Sequence, residues 1–156
     1  MISINLSGRD MTDGDVSAFI IERLNRYKIA SRVIFEILED ENIENIERIG
    51  AFIERVRRMG AKIAIDDFGS GYSNFSYILK LKPDYIKIDG SIIKNIDSSE
   101  DSRAIASAII AFANQLDITV IAEFVHSKEV FDTCVRLGVD EFQGFYLGEP
   151  RDSLLE

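Results

Sequence analysis

The sequence predicts an α/β fold of mainly parallel strands, a (β/α) barrel, on three observations. Short β-branched runs alternate with amphipathic segments of helical length along the chain. A polar residue closes nearly every one of those runs. The closing residues recur at intervals suited to one strand plus one helix. Alternation alone permits either an open doubly wound sheet or a closed barrel, and the polar strand ends favour the barrel, whose chemistry is built where strand carboxyl ends meet.

Six runs read as strands: Ile2 to Leu6, Val33 to Ile37, Lys62 to Ile65, Tyr85 to Ile88, Thr119 to Ala122 and Phe142 to Leu147. Between the first two, Asp13 is placed to cap a helix whose apolar stripe is Val16, Phe19, Ile20 and Leu24. A second stripe of Ile43, Ile46, Ile49, Ile53 and Val56 ends at Gly60. The Lys80 to Asp84 turn feeds the fourth strand. A third helix is expected from about Ser102 to Leu116, and a fourth from about Ser127 to Leu137 with Val130, Phe131, Cys134 and Leu137 on one face. I and V rich strands joined this way need no linker, repeat or low-complexity segment, and none is present.

A chain of 156 residues is long enough for one hydrophobic core, so residues 1–156 read as one domain or part of one. With 18 basic residues against 27 acidic ones and a net charge of -9, its surface is not built to neutralise bulk nucleic acid. Its apolar runs fall well short of the ~20 residues that span a bilayer, so no membrane contact is expected from this segment. Met1 to Asn5 lacks the basic segment and apolar core of a signal peptide, and a single cysteine forms no internal disulfide. The cytoplasm is the expected compartment.

The strand-closing residues are Asn5, Glu36, Asp66 with Asp67, Lys87, Glu123 and Gln143. On a shared rim, Glu36, Asp66, Asp67 and Glu123 would be four carboxylates in one mouth. Such groups repel and stay ionised together only around a cation. Oxygen donors without a nearby histidine or cysteine favour Mg²⁺ or Mn²⁺ over Zn²⁺. Two adjacent aspartates suit a two-metal clamp on a phosphoryl group, with Lys87 orienting water or neutralising developing charge. Each residue taken alone has a structural alternative. Asp66-Asp67 fits a strand-ending turn, Glu36 and Glu39 a solvated edge, and Lys87 an edge-strand side chain reaching solvent. Gln143 could satisfy a backbone group, and Gly69-Ser70-Gly71 lacks the full phosphate-loop pattern. His126 reads as a surface helix cap and Cys134 as core.

Asn5-Leu6-Ser7, Glu36-Ile37-Leu38-Glu39, Asp66-Asp67-Phe68-Gly69-Ser70-Gly71-Tyr72-Ser73, Lys82-Pro83-Asp84-Tyr85-Ile86-Lys87-Ile88-Asp89, Ala122-Glu123 and Gln143-Gly144-Phe145 resemble, in order and spacing, the motifs of the EAL domain family. The resemblance spans essentially the whole chain. It implies an incomplete TIM-type (β/α) barrel, with the family's first strand and its Glu-Ala-Leu motif missing from this sequence. It implies metal-dependent hydrolysis of cyclic di-GMP to linear pGpG in bacterial second-messenger signalling. Asn5, Glu36 and Asp66 look like ligands of a first Mg²⁺ or Mn²⁺, and Asp66 and Asp67 like ligands of a second. Glu123 looks like a second-site ligand or the general base, Lys87 and Gln143 position the attacking water, and Asp89 belongs to substrate binding. Glu39 resembles a glutamate that braces the loop after Asp66-Asp67. The likeness further implies a homodimer through the Asp67 to Tyr72 region and linkage to sensory or GGDEF domains. Phe124-Val125-His126 stands where the family usually has Gly-Val-Glu, and Leu38 where it usually has threonine. Those departures and the missing strand, which leaves this chain by itself an impaired enzyme, keep open a non-hydrolysing cyclic di-GMP receptor or protein-interaction module. A Schiff-base aldolase using Lys87 is a third reading, which the carboxylates oppose.

Overall fold

The computed structural model describes residues 1–38, 46–71 and 75–150 of the 156. The chain divides into two compact units, Met1–Ile86 and Lys87–Glu156. The first runs β1 (Ile2–Asn5), α1 (Gly8–Thr12), α2 (Gly14–Tyr27), a 3-10 turn (Ala30–Arg32), β2 (Val33–Leu38), α3 (Ile46–Arg58), β3 (Lys62–Phe68) and α4 (Phe75–Leu81). The unit boundary falls inside β4 (Tyr85–Ile88). The second unit continues with α5 (Gly90–Ile93), α6 (Glu100–Gln115), β5 (Thr119–Ala122), α7 (Lys128–Leu137) and β6 (Glu141–Phe142). Among the described residues, strands neighbour one another in chain order.

In the first unit β1, β2 and β3 pair in parallel, with Ile4 beside Phe35 and Phe35 beside Ile63. Alternation along β2 sends Val33, Phe35 and Ile37 inward, where they are buried, and leaves Glu36 half-buried on the other face. The inward row meets α3, which buries Ile49, Phe52, Ile53 and Val56 at helical spacing. The rings of Phe35 and Phe52 meet edge to face at 6.0 Å. Each such side chain removed from water contributes about 1.5 to 3 kcal/mol. The second unit repeats this with Ala106, Ile109, Ile110 and Ala113 of α6, and with Val120, Ala122, Val130 and Cys134.

Helix starts follow local chemistry. Ser7 and Asp10 form a capping box, and the hydrogen bonds that Asp10 accepts from Ser7 hold its carboxyl below the usual carboxylate range. Asp13 caps α2 as expected, accepting from the backbone of Asp15 and Val16. The stripe it leads is corrected: α2 buries Ile21 and Leu24, while Val16 and Phe19 are 36% and 54% exposed. Two overlapping apolar stripes share this helix, and only one can face the core. The Phe19 ring instead carries the Arg23 guanidinium at 4.7 Å.

Three further corrections concern one short helix and the ends of two strands. The segment before β4 contains a helix, α4, whose last carbonyl, at Leu81, accepts from the Arg57 guanidinium, as does that of Lys82 just past it. The third strand continues past Ile65 to Phe68 and so includes both aspartates. The sixth is only Glu141–Phe142 rather than Phe142 to Leu147. Beyond it the chain folds onto Val125, whose N–H donates to the Gln143 carbonyl at 3.1 Å and whose carbonyl accepts from Tyr146 at 3.0 Å. Gly144 permits that approach, since a Cβ there would lie 2.2 Å from the Val125 oxygen. Ile43 of the expected second stripe lies outside the described residues.

One device occurs in both units. Asp84, just before β4, donates its N–H to the Ile63 carbonyl at 2.8 Å and accepts the Ile63 N–H on its carboxylate at 2.9 Å. Asp140, just before β6, does the same to Val120, at 3.1 Å and 2.8 Å. Each aspartate thereby registers its strand against the preceding one.

Two predictions follow from this packing. Asp140→Ala takes the carboxylate from the N–H of fully buried Val120, so urea unfolding should register a loss of about 1 to 3 kcal/mol, with no comparable loss from Glu54→Ala, an exposed position on α3. Burial pushes the Cys134 thiol up from 9.0 to about 11. The unfolded chain then releases that proton first, so stability falls as pH rises from about 9 to 11, by about 2 to 3 kcal/mol. Cys134→Ala should remove that component from denaturation curves measured across this window.

Candidate active site

Paired positions in a parallel sheet share a face, so register decides which polar residues of the first unit can act together. Asn5 pairs with Glu36, Glu36 with Ala64, and Leu38 with Asp66. Asn5, Glu36 and Asp66 therefore stand on one face near the carboxyl ends of three neighbouring strands, opposite the face packed on α3. Asp67 follows with φ +53, a left-handed conformation that aspartate tolerates better than bulky residues. Its N–H donates to Asp66 Oδ1 at 3.1 Å, and its carbonyl accepts from Ser70 at 3.2 Å in the turn past Phe68. Phe68, wholly buried against Phe75 at 5.5 Å between ring centroids, anchors that turn. Glu36, Asp66 and Asp67 are all half-buried. A donor set of one amide and three carboxylates, all oxygen and still accessible, fits a hard divalent cation.

The second unit holds a different arrangement. Lys87 of β4 and Glu123, one residue past β5, form an ion pair of 2.8 Å between Nζ and Oε1. Both are buried, at 4% and 8% exposure. Lys87 is thus an interior lysine and not the solvent-reaching side chain of an edge. The carboxylate held against its nitrogen opposes the aldolase reading, which calls for an amine free to attack a carbonyl. Gln143 follows β6 and joins β5 through its N–H, donated to the Ala122 carbonyl at 2.8 Å. A cavity of about 210 Å³ opens between Glu123, Phe124, His126, Gln143, Gly144 and Phe145.

Asp89 caps α5, accepting from Ser91 N at 2.9 Å and from the Ser91 hydroxyl. His126 is not a helix cap. That place belongs to Ser127, which accepts from Val130 N at 3.2 Å, and the exposed His126 donates from Nε2 to the Lys94 carbonyl at 3.1 Å. Glu39, Tyr72 and Ser73 lie outside the described residues. Phe145 and Phe124 as cavity walls escaped the sequence reading. The signal was present at Phe124, a large residue where the resemblance expects glycine.

The EAL domain family model matches residues 1–150. The chain is 34% identical to the cyclic di-GMP phosphodiesterase PdeB of Shewanella oneidensis and 36% identical to the cyclic di-GMP phosphodiesterase PdeA of Borreliella burgdorferi. Both matches cover 96% of this chain, but only 18% and 22% of those longer proteins. Among solved structures, it matches the Pseudomonas MucR phosphodiesterase in complex with cyclic di-GMP with a TM-score of 0.85 and 32% identity, covering 96% of this chain and 61% of that one. The EAL enzyme Bd1971 bound to cAMP and cyclic di-GMP matches at 0.89 and 31%, covering 97% and 40%. The six parallel strands and intervening helices are thus those of a TIM-like, incomplete barrel. No helix among the described residues is long and apolar enough to cross a membrane.

Lys87→Met should cost about 3 to 5 kcal/mol in chemical denaturation, because the buried Glu123 carboxylate loses its lysine. Adding Glu123→Leu should recover most of that loss; a double variant no more stable than the single one would show that the loss does not come from an uncompensated carboxylate.

Proposed function

Because the chain belongs to the EAL domain family, we propose that it carries the chemistry of a phosphodiesterase that hydrolyses cyclic di-GMP to linear pGpG with Mg²⁺ or Mn²⁺. The observation that carries this reading is the pairing of an oxygen-only donor row, Asn5, Glu36 and Asp66, with family motifs matched in sequence over residues 1–150. Support also comes from relatives named cyclic di-GMP phosphodiesterases and from a neighbour solved with manganese and cyclic di-GMP.

Asn5, Glu36 and Asp66 would hold one divalent ion, and Asp66 with Asp67 a second. Bound there, the ions supply charge neutralisation at the phosphate and acidify water. Glu123 takes a proton from the attacking water or serves the second ion, and the buried Lys87 fixes the carboxylate's position through its 2.8 Å contact. Gln143 orients the water and Asp89 contributes to substrate binding. Water adds to phosphorus, the bond from phosphorus to the 3′ oxygen breaks, and that oxygen takes up a proton from solvent to leave as the hydroxyl of pGpG, matching the proton given up by the attacking water. Glu39 would brace the loop after Asp67, and the same region would join two copies as a homodimer. In the longer protein, sensory or GGDEF domains would set the activity, as the bifunctional cyclase and phosphodiesterase name of MucR illustrates.

A second reading is a receptor that binds cyclic di-GMP without cleaving it. It rests on Phe124 and His126 standing where the resemblance expects glycine and glutamate. Mg²⁺-dependent formation of pGpG, followed by anion-exchange chromatography, separates the two. Phosphodiesterase chemistry predicts turnover that EDTA stops and that Asp66→Asn lowers by more than about 100-fold. Cyclic di-GMP binding without pGpG, in a chain extended by the Glu-Ala-Leu strand that the resemblance calls for, would establish the receptor instead.

A further inference from the structure

Phe124 is held at a cost. Its φ of +54 is left-handed, which disfavours a bulky side chain by about 1 to 2 kcal/mol relative to glycine. Core burial does not offset this, for the residue is 66% exposed. Its ring nonetheless has a fixed seat. The ring lies over Gly90, where a Cβ would come within 2.2 Å of Cδ2 and 2.6 Å of Cγ. Only glycine at position 90 leaves that seat open, so Gly90 and Phe124 form a matched pair. The ring lines the cavity between Glu123, Gln143 and the equally exposed Phe145, beside the buried Lys87–Glu123 pair.

A strained backbone that presents an aromatic face to an open cavity makes sense when something planar covers that face. We propose that Phe124, seated on Gly90, is a stacking wall for one purine base of the nucleotide substrate and helps determine its affinity. This rests on the phosphodiesterase or receptor reading above and adds a residue at which the chain departs from the family pattern. Ring stacking on a nucleobase accepts any base with a π face, so Phe124 sets affinity while the polar residues set chemistry.

The chain has no tryptophan, so Phe124→Trp creates a single fluorescent reporter at the site. We expect cyclic di-GMP to quench that fluorescence saturably with Mg²⁺ present on ice, and ribose 5-phosphate, which has phosphate but no base, to leave it unchanged. Equilibrium dialysis with labelled cyclic di-GMP should show weakening of roughly 5- to 150-fold for Phe124→Gly, which takes the left-handed conformation without strain. Gly90→Ala should weaken binding similarly by unseating the ring, and Phe124→Tyr should bind within about twofold of the original chain. Equal affinities for Phe124→Gly and the original chain, with the tryptophan unmoved, would overturn the stacking wall and leave the proposed function intact. Failure of the original chain to bind cyclic di-GMP would overturn both.

Discussion

Strand register is the constraint on which the rest of the first unit depends. Asn5 opposite Glu36 and Leu38 opposite Asp66 place three polar donors on one face and leave Phe35, Ile37, Ile63 and Ile65 on the other. A slip of one residue in β2 would turn Glu36 toward α3 and bring Phe35 and Ile37 to the polar face. The hydrophobic core thus enforces the chemistry, because the arrangement that buries the apolar row is also the one that aligns the donors.

The second unit solves a different electrostatic problem. Two opposite charges taken out of water give up hydration that their attraction only partly restores, so a buried ion pair is weak evidence for stability alone. The Lys87–Glu123 pair is better understood through position. Each group limits where the other can go, and Glu123 sits at a strand end with an accessible cavity beside it.

The strand positions and longer helices were legible because hydrophobic period carries them. Phe35 and Ile37 alternate with Ile34 and Glu36, and α6 repeats its apolar residues at three and four. Short elements were not: α4 has seven residues, under two periods, and β6 has two. On α2, two candidate stripes overlapped and only packing could select Ile21 and Leu24. Of the candidate site, the donor residues were visible as polar strand closures, and motif spacing tied them to a family. The burial of Lys87 against Glu123 was not visible, since an isolated lysine in a strand has the same sequence signature whether it points in or out. His126 was misplaced because capping depends on a single residue of phase, and Ser127 supplied it.

The aspartates at 84 and 140 bear on how such a chain reaches its structure. Each ties a strand's entry to the start of its predecessor across about twenty residues, |i−j| being 21 and 20. Parallel sheets ordinarily suffer from distant pairings, whose loop-closure entropy slows assembly and leaves time for mispairing. A clasp made as soon as one helical crossover is complete shortens that search to a neighbour just synthesised. β4 and β6 can therefore each be fixed in phase against the strand before it as soon as the intervening helix has formed, without waiting for the rest of the sheet.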